Sequence, residues 1–150
     1  MNKIEVTLIA PNNERLLGGA NTDPPLGLAF IGAVVEESGL ANVRLVDLAV
    51  PSDKSDKERI SYADIYCLSI FTCALPWAKE MLRICKEVNP KSVVVVGGSH
   101  ATARPEEIIN EGFDVVIAGE GEYLFLDIVK QVAHGKKLND IKQRFSGLKN

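Results

Sequence analysis

The stretch Ser92-Val93-Val94-Val95-Val96-Gly97-Gly98-Ser99-His100 constrains the fold more than any other. Four consecutive valines are β-branched and put apolar side chains on both faces of a strand. Such a strand needs helices over both faces, which is the situation in an open parallel sheet. Gly97 and Gly98 then remove two side chains where the strand emerges. Ligands of doubly wound sheets sit at that carboxyl edge.

The remaining elements follow in order. Ile4–Ala10 reads as the first strand, stopped by Pro11. The polar loop to Asp23 is longer than the ~2–6 residues usual in α/β units, which marks it as functional or disordered. Pro24-Pro25 open a helix that Asp23 or Thr22 is placed to cap. Its apolar stripe is expected at Leu26, Phe30, Ala33 and Val34, widened by Ile31 and Val35, and Gly39 ends it. Val43–Leu48 is a second strand. The charged run Asp53–Arg59 reads as a solvated loop with a short helix. Ile65–Phe71 is a third strand, and Pro76 opens a helix with Trp77, Met81, Cys85 and Val88 at helical spacing. After the valine strand a short helix starts near Pro105-Glu106-Glu107 and closes at Gly112. Asp114–Ala118 is the fifth strand. Gly121–His134 is the last helix, with Leu124, Phe125, Ile128, Val129 and Val132 inward. The tail from Lys136 is polar with weak apolar anchors. This alternation predicts an α/β, flavodoxin-like (Rossmann-like) doubly wound five-stranded parallel sheet of order 2-1-3-4-5.

Composition narrows the partners. A net charge of −3 gives no electrostatic case for nucleic acid, and no apolar run reaches the ~18 residues of a membrane span. The N-terminus enters strand-like sequence directly, without a signal-peptide core. Cys67, Cys73 and Cys85 form neither a disulfide framework nor a metal knuckle, and a cytoplasmic location is expected.

Five loops converge at the carboxyl edge, and their residue types exclude the common ligands of such sheets. Ala10-Pro11 and Phe71-Thr72 stand where a phospho-receiver needs carboxylates. Pro11-Asn12-Asn13-Glu14-Arg15 is not a flavin phosphate loop. G-x-G-x-x-G after the first strand and G-x-x-x-x-G-K-[ST] are both missing. Two histidines supply no obvious catalytic set, and His134 beside Gly135 reads as a helix end. What remains is small and uncharged: Gly97, Gly98, Ser99, Gly119, Gly121, Thr72, Cys73 and Ala74. Such a site admits a bulky, mostly uncharged, amide-bearing ligand, a description that fits a corrinoid.

Four motifs carry a family resemblance. Pro24-Pro25-Leu26-Gly27-Leu28-Ala29-Phe30-Ile31-Gly32-Ala33, Gly97-Gly98-Ser99-His100-Ala101-Thr102, Pro105-Glu106-Glu107 and Ala118-Gly119-Glu120-Gly121-Glu122 occur in this order. Together they resemble the cobalamin (vitamin B12)-binding domain of cobalamin-dependent radical S-adenosylmethionine enzymes, with Ala118 where that family usually has a basic residue. The resemblance implies cofactor contacts on four of the five loops. These are Asn12 in the first, then Pro25, Leu26 and Gly27 at the helix opening. Ser69, Phe71, Thr72 and Cys73 follow the third strand, and Gly97, Gly98, Ser99 and His100 the fourth. Gly119, Glu120, Gly121, Glu122 and Tyr123 follow the fifth. Several roles stay double. His100 either contacts the corrin or holds its turn. Cys73 lies beneath the corrin or, as the favoured reading, fills a small site. Glu120 and Glu122 bond corrin amides or cap the last helix. Trp77 reads as packing.

Two departures shape what the resemblance implies. The D-x-H-x-x-G loop of other cobalamin domains is missing, and no histidine precedes His100. Cobalamin is therefore expected base-off, without a histidine or other side-chain ligand to its cobalt. The radical domain's C-x-x-x-C-x-x-C is also missing. S-adenosylmethionine and an iron–sulfur cluster would then belong to a C-terminal radical domain or to a separate partner enzyme, and the isolated chain would not be an enzyme. The expected organisation is a cobalamin-binding domain over 1–144 and a linker start over 145–150, at Phe145-Ser146-Gly147-Leu148. The expected role is in methyl transfer. The alternatives are a stand-alone corrinoid carrier, or a doubly wound module that binds another ligand or a partner protein.

Overall fold

The valine strand lies inside the sheet, and its two faces feed two different cores. A computed structural model of the chain describes residues 2–18, 23–141 and 144–146. The strands are β1 (Ile4–Ala10), β2 (Ala41–Asp47), β3 (Ile65–Ser69), β4 (Val93–Gly97), β5 (Val115–Ala118) and β6 (Arg144–Ser146). All pair in parallel, in the order β2-β1-β3-β4-β5-β6. The predicted 2-1-3-4-5 arrangement is present, and β6 adds a short strand beside β5 in a tail too polar to announce one.

The helices are α1 (Asn13–Leu17), α2 (Leu26–Glu37), α3 (Asp56–Arg59), α4 (Leu75–Val88), α5 (Ser99–Ala103), α6 (Pro105–Asn110) and α7 (Glu122–Ala133). Val93 and Val95 join Leu28 and Val35 of α2 and Phe125, Ile128 and Val129 of α7 in one core. Val94 and Val96 join Met81, Ile84 and Cys85 of α4 with Ala101 and Ile108 on the other face. Each fully buried aliphatic side chain contributes roughly 1.5–3 kcal/mol. A strand apolar on both faces is thus strongly held at the centre and would be exposed at an edge.

Helix α2 turns a different face inward than its large residues predict. Leu28, Gly32 and Val35 are buried, while Leu26 and Phe30 are 60% and 64% exposed. The cause is Gly32. A Cβ there would lie 3.2 Å from Leu8 Cδ1 and 3.5 Å from Val43 Cγ1, so its absence lets the helix seat closely on β1 and β2. Its N-cap is Pro25, which makes no side-chain cap bond, so Asp23 does not occupy the cap position. Thr22 lies outside the described residues. The first loop is not wholly irregular, because Asn12 Oδ1 accepts from Arg15 N and starts α1. The charged run forms α3, with Ser55 and Glu58 in a reciprocal capping box. Strand β3 ends at Ser69 rather than Phe71: the bond from Ile70 N–H to Gly97 O, at 2.9 Å, is the last of the β3–β4 ladder. No helix among the described residues is long and apolar enough to cross a membrane.

Candidate functional site

The loops at the carboxyl edge are tied into one frame by backbone contacts. Ser69 pairs with Gly97 at the last rung between β3 and β4. Beyond it, His100 N donates to Ile70 O at 3.2 Å. Gly98 sits between these groups with φ +100°, in a conformation and a space that suit only glycine. Thr102 Oγ1 then donates to Gly98 O and accepts from Gly119 N, both at 2.9 Å, so the β4 and β5 loops share one hydroxyl.

Two cavities open against this frame. A cleft of about 170 Å³ runs between the first turns of α2 and α7, above β3, β4 and β5. Gly97, Gly98, Gly119 and Gly121 line it, and Ile31, Cys67, Ser69 and Ile117 form its apolar and small walls. A second cavity of about 260 Å³ lies over the ends of β1, β2 and β3, walled by Pro11, Asn13, Pro25, Asp47, Phe71 and Ser99 among others. Gly27, Leu28 and Ser69 border both, so the cavities meet around the start of α2. Neither is lined by Lys, Arg or His, while Asp23, Asp47, Glu120 and Glu122 are present. That balance is unsuited to a polyphosphate and suited to neutral hydrogen-bond donors.

Of the predicted contacts, Pro25, Gly27, Ser69, Phe71, Gly97, Gly98, Ser99, Gly119, Glu120, Gly121 and Glu122 line one or both cavities. Asn12, Leu26, Thr72, Cys73, His100 and Tyr123 line neither. Asn12 caps α1, and Tyr123 is 80% exposed on the first turn of α7. Cys73 is exposed, so it fills no small site; the buried Cys67 does that in the cleft wall. Burial pushes the Cys67 thiol up to about 12, which makes it a packing group and not a nucleophile. The N-cap of α7 is Gly121 with no side-chain cap bond; Glu122 sits in the first turn and Glu120 is exposed at the cleft. Trp77 packs half-buried against the α4 core, as expected.

Residues outside the predicted contacts also wall the cavities. Asn13 Oδ1 is sealed from solvent with no hydrogen-bond partner, at the larger cavity. Leu28 and Ile31 reach the cleft because they stand three apart on the buried side of α2. Asp47 arrives by ending β2 beside β1, a placement that only pairing reveals.

The family profile described as "B12 binding domain" matches residues 20–129. The chain is 33% identical to the uncharacterized methyltransferase PH0819 of Pyrococcus horikoshii, over 94% of this chain and 32% of that protein. It is also 33% identical to the anaerobic magnesium-protoporphyrin IX monomethyl ester cyclase of Rubrivivax gelatinosus, over 91% of this chain and 26% of that one. Against the cytidylyl-2-hydroxyethylphosphonate methyltransferase of Streptomyces wedmorensis it is 30% identical, over 68% of this chain and 23% of the relative. The chain thus spans a third or less of the length of these relatives. Among solved structures it is similar to OxsB, a cobalamin-dependent S-adenosylmethionine radical enzyme with aqua-cobalamin and S-adenosylmethionine bound. That likeness has a TM-score of 0.76 at 21% identity, covering 94% of this chain and 20% of that one, and at this identity it shows the fold alone.

Proposed function

The chain belongs to the B12 binding domain family, and from that premise we propose that it holds cobalamin base-off across the carboxyl edge of the sheet. The nucleotide tail is assigned to the cleft between α2 and α7, and the corrin to the larger cavity beside it. The observation that carries this reading is the row of missing side chains. A Cβ on Gly27 would meet nothing within 4 Å, and one on Gly97 only Ile117 O at 3.9 Å, so both positions keep open space that packing does not require. The orphaned Asn13 Oδ1 adds a buried acceptor that a ligand N–H would satisfy.

Cobalamin, when bound, supplies the cobalt-centred chemistry. The chain's own residues bind and orient it. Ser69 offers a hydroxyl at the junction of the two cavities, and Cys67, Ile31 and Ile117 give the cleft an apolar wall. No histidine precedes His100, and His100 borders neither cavity, which supports a lower cobalt face without a histidine ligand from this chain.

The parent activity is placed in a longer, cytoplasmic radical S-adenosylmethionine enzyme, with methyl transfer as the reaction. Two of the named relatives are methyltransferases, and the relatives are several times longer. The iron–sulfur cluster and S-adenosylmethionine are assigned outside this chain, or to a partner. Among the described residues no group of three or more His, Cys, Asp or Glu is placed to hold a metal ion.

Titration of the purified chain with hydroxocobalamin, followed by desalting and a visible spectrum, tests the binding. A retained base-off spectrum is expected. A colourless protein after desalting overturns the reading.

A further inference from the structure

Helix α2 carries two apolar stripes, and the sheet covers one of them. Leu28, Ile31, Gly32 and Val35 repeat at i, i+3, i+4 and i+7 and face the core. Leu26, Ala29, Phe30 and Ala33 repeat at the same spacing on the other side of the helix, and all four are exposed. From Leu26 to Val35 there is no polar side chain at all. The other two long helices turn charge to solvent, with Lys79, Glu80 and Arg83 on α4 and Asp127 and Lys130 on α7. A helix that is apolar all round belongs in the interior of something larger.

The outer stripe selects among the surfaces that could cover it. A lipid surface is disfavoured, because an interfacial helix needs Lys or Arg on its polar face and α2 has neither. A second copy is disfavoured by area. One leucine, one phenylalanine and two alanines present on the order of 300 Å², against ~800 Å² per partner in a stable complex of free chains. A domain joined to this one needs less, because the tether supplies an effective concentration on the order of mM. The relatives contain the chain for it: this sequence spans a third or less of their length. Glu37 continues the same side of α2, exposed in a last turn that holds no basic residue. The helix dipole disfavours a carboxylate there, so a cation on the covering surface would be favourable.

We propose that the outer stripe of α2, Leu26-Ala29-Phe30-Ala33, is the surface on which the remainder of the longer parent enzyme packs, with a basic group opposite Glu37. This rests on the longer-enzyme reading above. It gives α2 two tasks on two sides. Gly27, Leu28 and Ile31 border the cavities, while Phe30 and Ala33 border neither and anchor the domain.

Hydroxyl-radical footprinting read by mass spectrometry tests this on the present chain and on the protein of the complete reading frame. The core of a domain interface is packed like a protein interior, so labelling of Leu26 and Phe30 is expected to fall about fivefold or more in the longer protein. Tyr62, 57% exposed ahead of β3, is expected to label equally in both. In the present chain Phe30→Glu is expected to melt within about 2 °C of wild type and to retain hydroxocobalamin as wild type does. In the longer protein the same substitution is expected to raise Leu26 labelling to the level of the present chain; if that variant does not fold, the wild-type footprints decide. Equal labelling of Phe30 in the two wild-type proteins overturns the inference and leaves cobalamin binding standing. Loss of hydroxocobalamin in Phe30→Glu also overturns it, by giving the stripe to the ligand. So does a dimer of the present chain, seen by sedimentation, that Phe30→Glu dissociates. A reading frame that encodes no further domain overturns both the inference and the longer-enzyme reading.

Discussion

Gly98 and Ile70 are packed backbone to backbone: a Cβ on Gly98 would lie 2.5 Å from the Ile70 carbonyl oxygen and 2.7 Å from its nitrogen. The second glycine of the pair is therefore required by the frame itself. Gly98→Ala combines a backbone clash with a side chain at φ +100°. It is expected to cost about 3 kcal/mol or more, read as a lowered urea midpoint. Gly97→Ala has only ordinary contact at 3.9 Å and is expected to fold with nearly wild-type stability. Equal midpoints for the two variants would contradict this division of roles.

Gly27 separates binding from stability. It opens α2, borders both cavities, and a Cβ there would meet nothing within 4 Å. Gly27→Leu extends a side chain into that space without displacing protein atoms near its Cβ. Leucine is also a better helix former than glycine, by up to about 1 kcal/mol. The variant is expected to melt at or above the wild-type temperature and to bind hydroxocobalamin at least about tenfold more weakly, a loss of about 1.4 kcal/mol. Unchanged affinity in visible titration would move the ligand away from α2.

The sheet was readable because its signal is local. Four valines in a row predict two covered faces, and Val93 to Val96 alternate between the two cores as that pattern requires. The glycine-lined cleft was readable for the same reason, since Gly97, Gly119 and Gly121 mark absent side chains directly. The α2 stripe misled because amphipathic patterning weighs large residues, and Gly32, which sets the seating of the helix, carries no hydropathy signal. Asn13 and Asp47 were hidden because their place depends on which strands become neighbours. The burial of His100 was hidden as well: the motif put it at the carboxyl edge, where its ring is buried beside Thr72 and borders neither cavity.

The opposite edge of the sheet depends on Asp114. Its side chain is 12% exposed, and its Oδ2 accepts from Lys86 Nζ at 2.6 Å and from Val94 N at 2.8 Å. Lys86 also donates to Ser92 O at 2.6 Å, which ties α4 to the entrance of β4. Asp114→Ala leaves a strand N–H and a half-buried ammonium without this acceptor. It is expected to destabilise the chain by about 2–3 kcal/mol in urea denaturation. Lys86→Met removes one partner but leaves the Val94 bond intact, and is expected to cost less than half as much. The opposite ranking would mean that the ion pair, rather than the backbone bond, carries the staple.

Buried acids give the fold an alkaline limit. Burial pushes Cys67 and Cys85 from the ordinary 9.0 up to about 12, and Tyr66 from 10.0 up to about 12. The unfolded chain loses these protons first, while the folded chain still holds them. Their contribution is therefore complete below about pH 9 and is lost as pH rises toward 12. Each group lowers stability by about 1.4 kcal/mol per pH unit inside its own window. Urea midpoints are expected to be flat across neutral pH and to fall steeply above about pH 9, with a shallower fall in Cys67→Ala than in wild type. Thiol reagents give the matching kinetic result at neutral pH. Cys73 is exposed and is expected to react at once, while Cys67 and Cys85 are buried and react only on unfolding. Rapid modification of more than one thiol in the native chain, or midpoints that stay level through the alkaline range, would contradict the burial of Cys67 beneath the cleft.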